Sequence, residues 1–280
     1  MNQHKKNTAA QIEQPSVTVT YNDPASKHRA SSFAETFQLP CSSLQKCDSQ
    51  LALNFSQVLV ELIDIPQKMQ LSVDFIHGSL GHRKKYGGGK GQTIAKAIGL
   101  KQGKAAPYVL DATAGLGKDS YVFACLGCRV TLVERSPIVA ELVRDAINRA
   151  SLNAEFAEIL QQGFELIQDD ALQYLGKLDE TGKPDVIYPD VIYPDVIYLD
   201  PMYPEKKKSA SVKKNMQMLQ TLLGHDQDTG KVLDLALHHA RQRVVVKRPK
   251  GAPVIKAERA PTLAYESKST RYDVYINTQK

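Results

Sequence analysis

Short apolar runs alternate with longer amphipathic stretches from Tyr108 to the end of the chain. Each short run has the length of a buried strand, and each longer stretch has the periodicity of a helix. The predicted strands are YVLDA (108–112), RVTLVE (129–134), FELIQ (164–168), VIYLD (196–200), RVVVK (243–247) and YDVYIN (272–277), and the predicted helices are KDSYVFACLG (118–127), PIVAELVRDAINRA (137–150) and KKKSASVKKNMQMLQTLLG (206–224). This alternation predicts an α/β fold with a doubly wound, mostly parallel sheet, in which the last run forms an antiparallel edge strand.

The first part of the chain has a different pattern. Its first 50 residues are rich in Ser, Gln, Asn and Thr, with one predicted strand at 17–21, and the apolar runs become denser from Leu51. We predict a small N-terminal α+β domain over residues 1–80, part of whose beginning is poorly ordered. A basic, glycine-rich junction with a helix follows over 81–106, and the large α/β domain occupies 107–280.

A tandem repeat interrupts the α/β pattern. The pentapeptide PDVIY occurs at 184–188, 189–193 and 194–198 and leads directly into Leu199 and Asp200. Strand side chains alternate with period two, so copies of odd length would face opposite sides, and each proline removes a ladder donor. We therefore expect only the third copy to be a strand and the other two to form a surface excursion.

The composition is typical of a soluble globular protein: 42% of the 280 residues are hydrophobic and 24% are charged. No apolar run approaches the roughly 18 residues of a membrane span, and the first residues lack the apolar centre of a secretory signal. We expect a cytoplasmic protein without a membrane partner, with its four cysteines reduced. The histidines and cysteines lack metal-ligand spacing, so no metal site is predicted.

The net charge of +6 is unevenly distributed. Residues 1–80 carry 6 basic and 7 acidic side chains, so the whole excess lies after residue 80. An excess of this size is compatible with a polyanionic partner without requiring one.

A glycine-rich turn follows the first strand of the α/β part. The segment from Asp111 to Asp119 reads DATAGLGKD, with Gly115 and Gly117 placed immediately before a predicted helix. Glycines allow a tight turn and close approach of a ligand, and free amides at a helix start favour a negative or polar group. This arrangement predicts a nucleotide-type cofactor site, although Ser120 replaces the third glycine of the dinucleotide fingerprint.

Acidic residues end the next strands. Glu134 follows Gly115 by 19 residues, at the distance where a carboxylate accepts hydrogen bonds from ribose hydroxyls. Asp169 and Asp170 follow the third strand, where an adenine amine would need an acceptor. Because the carboxyl ends of parallel strands share one edge of the sheet, these acids predict one site.

The fourth strand ends in Asp200-Pro201-Met202-Tyr203. A carboxylate and the carbonyl of a proline can accept both hydrogens of an exocyclic amine, and a following tyrosine can stack on the base that carries it. This tetrapeptide resembles the Asp-Pro-Pro-Tyr type motif of S-adenosylmethionine-dependent amino-methyltransferases. We predict catalytic roles for Asp200, Pro201 and Tyr203.

Five longer motifs follow one another along the chain: HRKKYGGGKG, DATAGLGKDS, LVERSP, YLDPMYPEKKKSASVKK and RVVVKRP. Together they resemble the ribosomal RNA small subunit methyltransferase J family over roughly residues 71–280. The resemblance implies a Rossmann-like class I methyltransferase that uses S-adenosyl-L-methionine to methylate the N2 amine of a guanine in 16S-type ribosomal RNA. The partner implied is that RNA or the small ribosomal subunit, with no obligate protein partner.

The resemblance also implies particular cofactor contacts. They follow the glycine turn, the second strand, the third strand and the fourth strand in order. With the turn itself, the predicted cofactor-binding residues are Asp111, Gly115, Gly117, Lys118, Asp119, Glu134, Arg135, Asp169, Asp170 and Asp200.

Basic residues cluster around the predicted site. Those ahead of the α/β part combine Arg and Lys with an aromatic residue, and the others follow the fourth and fifth strands at the same sheet edge. The predicted RNA-binding residues are Arg83, Lys84, Lys85, Lys90, Lys206, Lys207, Lys208, Lys247 and Arg248.

Other functions remain open from the residues alone. The Asp-Pro-x-Tyr motif does not distinguish the exocyclic amine of guanine from that of adenine. Methylation of adenine N6 in DNA or RNA is therefore an alternative. A non-catalytic RNA-binding ribosome-assembly factor is another. An oxidoreductase that uses NAD or NADP is disfavoured by Ser120.

Overall fold

The structure is a computed structural model that describes residues 16–77, 91–181, 193–202, 212–224 and 228–277. For residues 179–181 and 212–216 it describes the backbone alone. The predicted surface excursion formed by the first two PDVIY copies falls almost wholly at 182–192, outside the described residues.

The first sheet has the strand order β2-β1-β3-β4-β5, with β1 parallel to β2 and β3 and the remaining pairs antiparallel. Asp23 caps the one helix described beside this sheet through the backbone amide of Ser26 (2.9 Å), and Pro24 occupies its first turn. The elements are β1 (Val17–Tyr21), α1 (Pro24–Phe37), β2 (Cys41–Ser43), a 3₁₀ turn (Leu44–Lys46), β3 (Leu51–Phe55), β4 (Val60–Asp64) and β5 (Met69–Leu71).

The second sheet has the order β11-β12-β10-β9-β6-β7-β8 among the described residues. Strands β8, β7, β6, β9 and β10 are parallel, while β12 runs antiparallel to β10 and β11. The elements are α2 (Thr93–Ala97), β6 (Val109–Asp111), α3 (Lys118–Cys125), β7 (Val130–Glu134), α4 (Pro137–Ala150), α5 (Ala154–Gln161), β8 (Phe164–Gln168), α6 (Ala171–Thr181), β9 (Val196–Leu199), α7 (Val212–Leu223), α8 (Thr229–His239), β10 (Arg243–Pro249), β11 (Leu263–Glu266) and β12 (Thr270–Ile276).

Alternating strand residues serve two cores, one on each face of this sheet. Val109, Leu132 and Val245 pack with α3 and α4 on one face. Their neighbours Leu110 and Val133 pack with α6 and α8 on the other. The predicted doubly wound, Rossmann-like α/β fold is therefore confirmed.

The strand order reverses between β6 and β9. From β6 the chain moves outward through β7 to β8, and from β9 it moves the opposite way to β10. A ligand cleft forms at the carboxyl ends of the strands where such a reversal occurs. The topology thus brings the ends of β6 and β9 together at one crevice.

The hydrophobic core on the α3 side extends into the first sheet. Val19 and Leu53 belong to the same cluster as Phe75 and Phe123. The Arg29 guanidinium of α1 also lies 3.7 Å from the Asp145 carboxylate of α4. The division of the chain into domains at residues 80 and 106 stays a prediction. Described residues on both sides of these positions belong to one hydrophobic core.

Three local findings refine the sequence predictions. The third PDVIY copy supplies β9, as predicted, and is buried between β6 and β10. The last strand, β12, is antiparallel, but β11 pairs with its outer side, so the edge belongs to β11. Residues 16–50, which include part of the segment predicted to be poorly ordered, form β1, α1 and β2.

None of the helices in the described ranges is long and apolar enough to cross a membrane. The same ranges contain no group of three or more His, Cys, Asp or Glu side chains arranged to hold a metal ion.

Candidate active site

A cleft lies at the carboxyl edge of the second sheet, at the reversal between β6 and β9. Residues at the ends of β6, β7, β8 and β9 line it, together with the end of α7 and the start of α8. The predicted site residues on its wall are Gly115, Glu134, Arg135, Asp170, Asp200 and Pro201.

The glycine turn between β6 and α3 contributes Thr113 and Gly115 to the lining of the cleft. Gly115 and Gly117 have φ angles of +53° and +68°, in the left-handed region that favours glycine. The amide of Gly117 donates to the Ala114 carbonyl (2.9 Å), which closes the turn directly before α3 begins at Lys118. Lys118 itself is exposed and does not line the cleft.

Glu134 connects this turn to the end of β7. Its Oε2 accepts a hydrogen bond from the amide of Gly115 (2.9 Å), and its Oε1 accepts one from the amide of Ser136 (2.7 Å). The carboxylate is buried and fixed from both sides. Glu134 also lines the cleft, where a carboxylate oxygen is an acceptor for a ligand hydroxyl.

The adjacent Asp169 and Asp170 have different surroundings. Asp170 lines the cleft, and its Oδ1 accepts from the amide of Leu172 (2.9 Å) at the start of α6. Asp169 pairs with the Lys177 ammonium (2.6 Å) and does not line the cleft. Within this predicted pair, the structure therefore favours Asp170 as the ligand contact.

Asp111 lies beneath the turn at the end of β6 and is only 2% exposed. Ser120 donates a hydrogen bond to its Oδ2, and the amide of Thr113 donates to its Oδ1 (3.3 Å). Burial raises the pKa of Asp111 to about 7 against the opposing effect of the Ser120 hydrogen bond, and the nearby Asp119 and Asp200 charges contribute to the rise. Asp111 thus supports the turn from below rather than lining the cleft.

A charged cluster joins three elements behind the cleft. The Lys247 ammonium from β10 lies 2.7 Å from Asp119 Oδ2 on α3 and 2.8 Å from Asp200 Oδ2 after β9. The Tyr198 hydroxyl also donates to Asp119 Oδ2 (2.7 Å). Asp119, predicted as a cofactor contact, is therefore directed at this cluster.

Asp200 and Pro201 form the part of the cleft that follows β9. The amide of Asp200 donates to Thr113 Oγ1 (2.6 Å), which fixes the end of β9 against the glycine turn. The Asp200 side chain is 40% exposed, so its carboxylate is open to the cleft while it contacts Lys247. Tyr203 lies outside the described residues.

The basic residues predicted to bind RNA divide into two groups. Lys247 and Arg248 lie inside the fold: Lys247 contacts two carboxylates, and Arg248 is 7% exposed and donates to the Pro253 carbonyl (3.2 Å). Their contact with phosphate stays a prediction. The position of both side chains inside the fold does not support it. The other seven lie outside the described residues: Arg83, Lys84, Lys85, Lys90, Lys206, Lys207 and Lys208.

The structure adds residues that the sequence did not single out. Thr113, Asp228 and Thr229 line the cleft, the last two at the start of α8. The sequence signal for that helix start is weak, because Asp228 follows a short polar segment without an apolar run. Thr113 lies within the glycine turn, and a threonine there carries no sequence signal of its own.

The donor set of the cleft suits a nucleoside-type cofactor. Glu134 and Asp170 offer oxygen acceptors at neighbouring strand ends. Val133, Leu172 and Leu199 provide apolar walls between them, as an aromatic base requires. The residues present therefore fit a cofactor with ribose hydroxyls and a purine.

Comparisons with known proteins cover nearly the whole chain. Residues 32–277 match a protein-family model described as "Putative SAM-dependent methyltransferase". A protein of Aeromonas salmonicida named ribosomal RNA small subunit methyltransferase J is 47% identical over 242 residues, which span 85% of this chain and 92% of that protein. The protein of the same name from Aeromonas hydrophila is 44% identical over 261 residues, or 92% and 97% of the two chains.

A solved structure is similar over nearly the whole chain. The crystal structure of a SAM-dependent methyltransferase from Neisseria gonorrhoeae is similar with a TM-score of 0.70 and 33% sequence identity. The similarity covers 94% of this chain and 97% of that one.

Proposed function

The chain belongs to the ribosomal RNA small subunit methyltransferase J family, and we propose that it methylates the exocyclic N2 amine of a guanine in small-subunit ribosomal RNA. The family membership confirms the resemblance seen in the motifs. The observation that carries the proposal is the position of Asp200 and Pro201, on the wall of the cofactor-type cleft at the end of β9.

The cofactor is S-adenosyl-L-methionine, which supplies an electrophilic methyl group on a sulfonium centre. We propose that Glu134 accepts hydrogen bonds from the ribose hydroxyls. Asp170 would contact the adenine, with Leu172 beside the ring. Gly115 would let the backbone approach the amino-acid portion closely. The other predicted cofactor contacts stay predictions: Asp111, Gly117, Lys118, Asp119, Arg135, Asp169 and Asp200.

Asp200 and Pro201 would bind the acceptor amine. The carboxylate and the Pro201 carbonyl each accept one N–H, and Tyr203 is predicted to stack on the base. In the overall reaction N2 would bond to the methyl carbon, and the bond from that carbon to sulfur would break to leave S-adenosylhomocysteine as a neutral thioether. The proton lost from N2 would pass to solvent. Because the N2 lone pair is delocalised into the ring, acceptors that favour its rehybridisation lower the barrier.

Positioning would supply most of the catalysis. Holding two reactants at attack distance replaces an encounter in solution with an intramolecular step. We propose a cytoplasmic location, in which ribosomal RNA phosphates contact the seven predicted basic residues outside the described ranges: Arg83, Lys84, Lys85, Lys90, Lys206, Lys207 and Lys208. This contact is in keeping with the excess of positive charge after residue 80.

Mass spectrometry of small-subunit ribosomal RNA tests the proposal. Cells that lack the gene should lose one fragment that contains N2-methylguanosine, and a plasmid with the wild-type gene should restore it. Unchanged RNA would contradict the proposal, and loss of N6-methyladenosine would favour the alternative base. Purified subunits and naked RNA, supplied in parallel, would identify the form that is methylated.

Calorimetry separates the remaining alternatives. The purified protein should bind S-adenosylhomocysteine, and NAD should not compete. Absence of binding would favour an RNA-binding assembly factor, and competition by NAD would favour an oxidoreductase.

A further inference from the structure

Lys247 joins two carboxylates that come from different elements. Its ammonium contacts Asp119 on α3 at 2.7 Å and Asp200 after β9 at 2.8 Å. Tyr198 extends the chain of hydrogen bonds by donating to the same Asp119 oxygen. A continuous polar path therefore runs from the buried middle of β9 to the residue proposed to bind the amine.

The exposure of these groups changes along the path. The side chain of Asp119 is 10% exposed, that of Lys247 is 27% exposed and that of Asp200 is 40% exposed. Asp200 lines the cleft, whereas Lys247 and Asp119 do not. Lys247 is therefore joined to the wall of the cleft by its contact with Asp200.

Charge explains why a cation is needed there. Around Asp200 lie Asp111 from β6, Asp119 from α3, Tyr198 from β9, and Lys247 and Arg248 from β10. Tyr272 from β12 lies near Tyr198. Burial lowers the pKa of Lys247, but Asp200 and Asp119 raise it well above its usual value, so the ammonium stays charged. Without Lys247, Asp200 would face Asp119 across the position of the missing cation.

We propose that Lys247 is a positioning residue, which holds the Asp200 carboxylate ionised and directed into the cleft for the acceptor amine. The inference rests on the proposed function, because it acts through the contact of Asp200 with the amine. It differs from the phosphate contact predicted for Lys247 from the sequence, since the ammonium lies behind the cleft.

The test is the dependence of kcat on pH, measured with saturating cofactor and small-subunit RNA for wild type, Lys247→Met, Lys247→Arg and Asp119→Asn. On acidification kcat should fall as Asp200 takes up a proton. Removing the cation should raise the pH at which kcat is half of its maximum by about 1–3 pH units. It should also lower kcat at pH 7 by about 10- to 100-fold. Lys247→Arg should move this point less, because it keeps the charge. Asp119→Asn should move it to lower pH, because it removes a repelling carboxylate.

A matched control is Lys104→Met, which replaces an exposed lysine in the segment before β6. Its pH profile should coincide with that of wild type. A purely structural role would lower kcat of Lys247→Met equally at every pH, and a profile with the wild-type midpoint would overturn the proposal. If circular dichroism shows that Lys247→Met does not fold, a wild-type midpoint for Asp119→Asn would overturn it instead.

The two proposals fail in distinguishable ways. A wild-type protein that methylates no guanine would contradict the proposed function. An active wild type whose pH midpoint of kcat is unchanged in both Lys247→Met and Asp119→Asn would contradict only the role of Lys247.

Discussion

Gly117 lies directly against Phe75. A Cβ atom at Gly117 would come within 3.3 Å of Phe75 Cζ and 3.1 Å of Leu132 Cδ2. Phe75 is fully buried, and its ring packs against Tyr121 and Phe156 at centroid distances of 5.1 and 5.7 Å. Phe75 lies in the segment after β5, the last strand of the first sheet. This segment therefore packs against the glycine turn next to the cleft.

This contact predicts that Gly117→Ala destabilises the protein and weakens cofactor binding. Its φ of +68° is strained for alanine, and the new methyl group would press on Phe75 and Leu132. We expect the free energy of unfolding to fall by about 1–3 kcal/mol. Urea denaturation and calorimetry with S-adenosylhomocysteine measure the two effects.

Gly103→Ala is the matched control for this substitution. Gly103 has a similar φ of +74°, but no atom lies within 4 Å of the position of its Cβ. It shares the backbone strain and lacks the contact. Equal losses in stability for the two variants, with cofactor affinity unchanged in both, would show that the contact with Phe75 has no role.

Glu134→Gln should weaken the turn and the cofactor site together. Both carboxylate oxygens accept backbone amides, from Gly115 and Ser136, and the new amide group would place an N–H against one of these donors. We expect a loss of about 1–3 kcal/mol in the free energy of unfolding and weaker S-adenosylhomocysteine binding. Glu165→Gln, on an exposed position of β8, should change neither quantity. Wild-type affinity in Glu134→Gln would contradict the proposed ribose contact.

Asp111 should make the stability depend on pH. Its pKa is raised from 3.8 to about 7 in the folded protein, so between these values the native state binds more protons than the unfolded state. The free energy of unfolding contributed by Asp111 is therefore present at low pH and is lost as the pH rises toward 7. Asp111→Asn cannot ionise, so the stability of wild type relative to this variant should fall across the same interval.

Urea denaturation of both proteins from about pH 4 to about pH 8 measures this difference. Asp48→Asn, at an exposed position, controls for the change of residue type. A difference between wild type and Asp111→Asn that is independent of pH would mean that Asp111 ionises normally in the fold.

Helix α4 shows why much of the second sheet could be predicted. Its observed range, Pro137–Ala150, is the predicted one: Ser136 caps it, Pro137 starts it, and apolar residues at helical spacing face the core. Helix α1 was missed because it buries only a few small residues and Phe33. Its Asp23-Pro24 start was the available signal. Strand β11 was missed because it has four residues of mixed exposure.

The sequence predicted the strand-end acids of the site but not the role of Lys247. A lysine next to Arg248 and Lys250 in the sequence predicts a basic surface. The period of a strand contains the missing information, because Val245 packs on the α3 side and Lys247, two residues later, faces the same way. Which carboxylates it meets depends on the crossing of β10 with α3 and β9, and that is a tertiary property.

Reconstituted methyl transfer tests the central claim most directly. Small-subunit RNA from cells that lack the gene would be incubated with labelled S-adenosyl-L-methionine and either wild type or Asp200→Asn, and the nucleosides analysed by mass spectrometry. We predict N2-methylguanosine with wild type and a rate about 100-fold lower with Asp200→Asn at saturating cofactor. A different methylated nucleoside, or an undiminished rate with Asp200→Asn, would contradict the account.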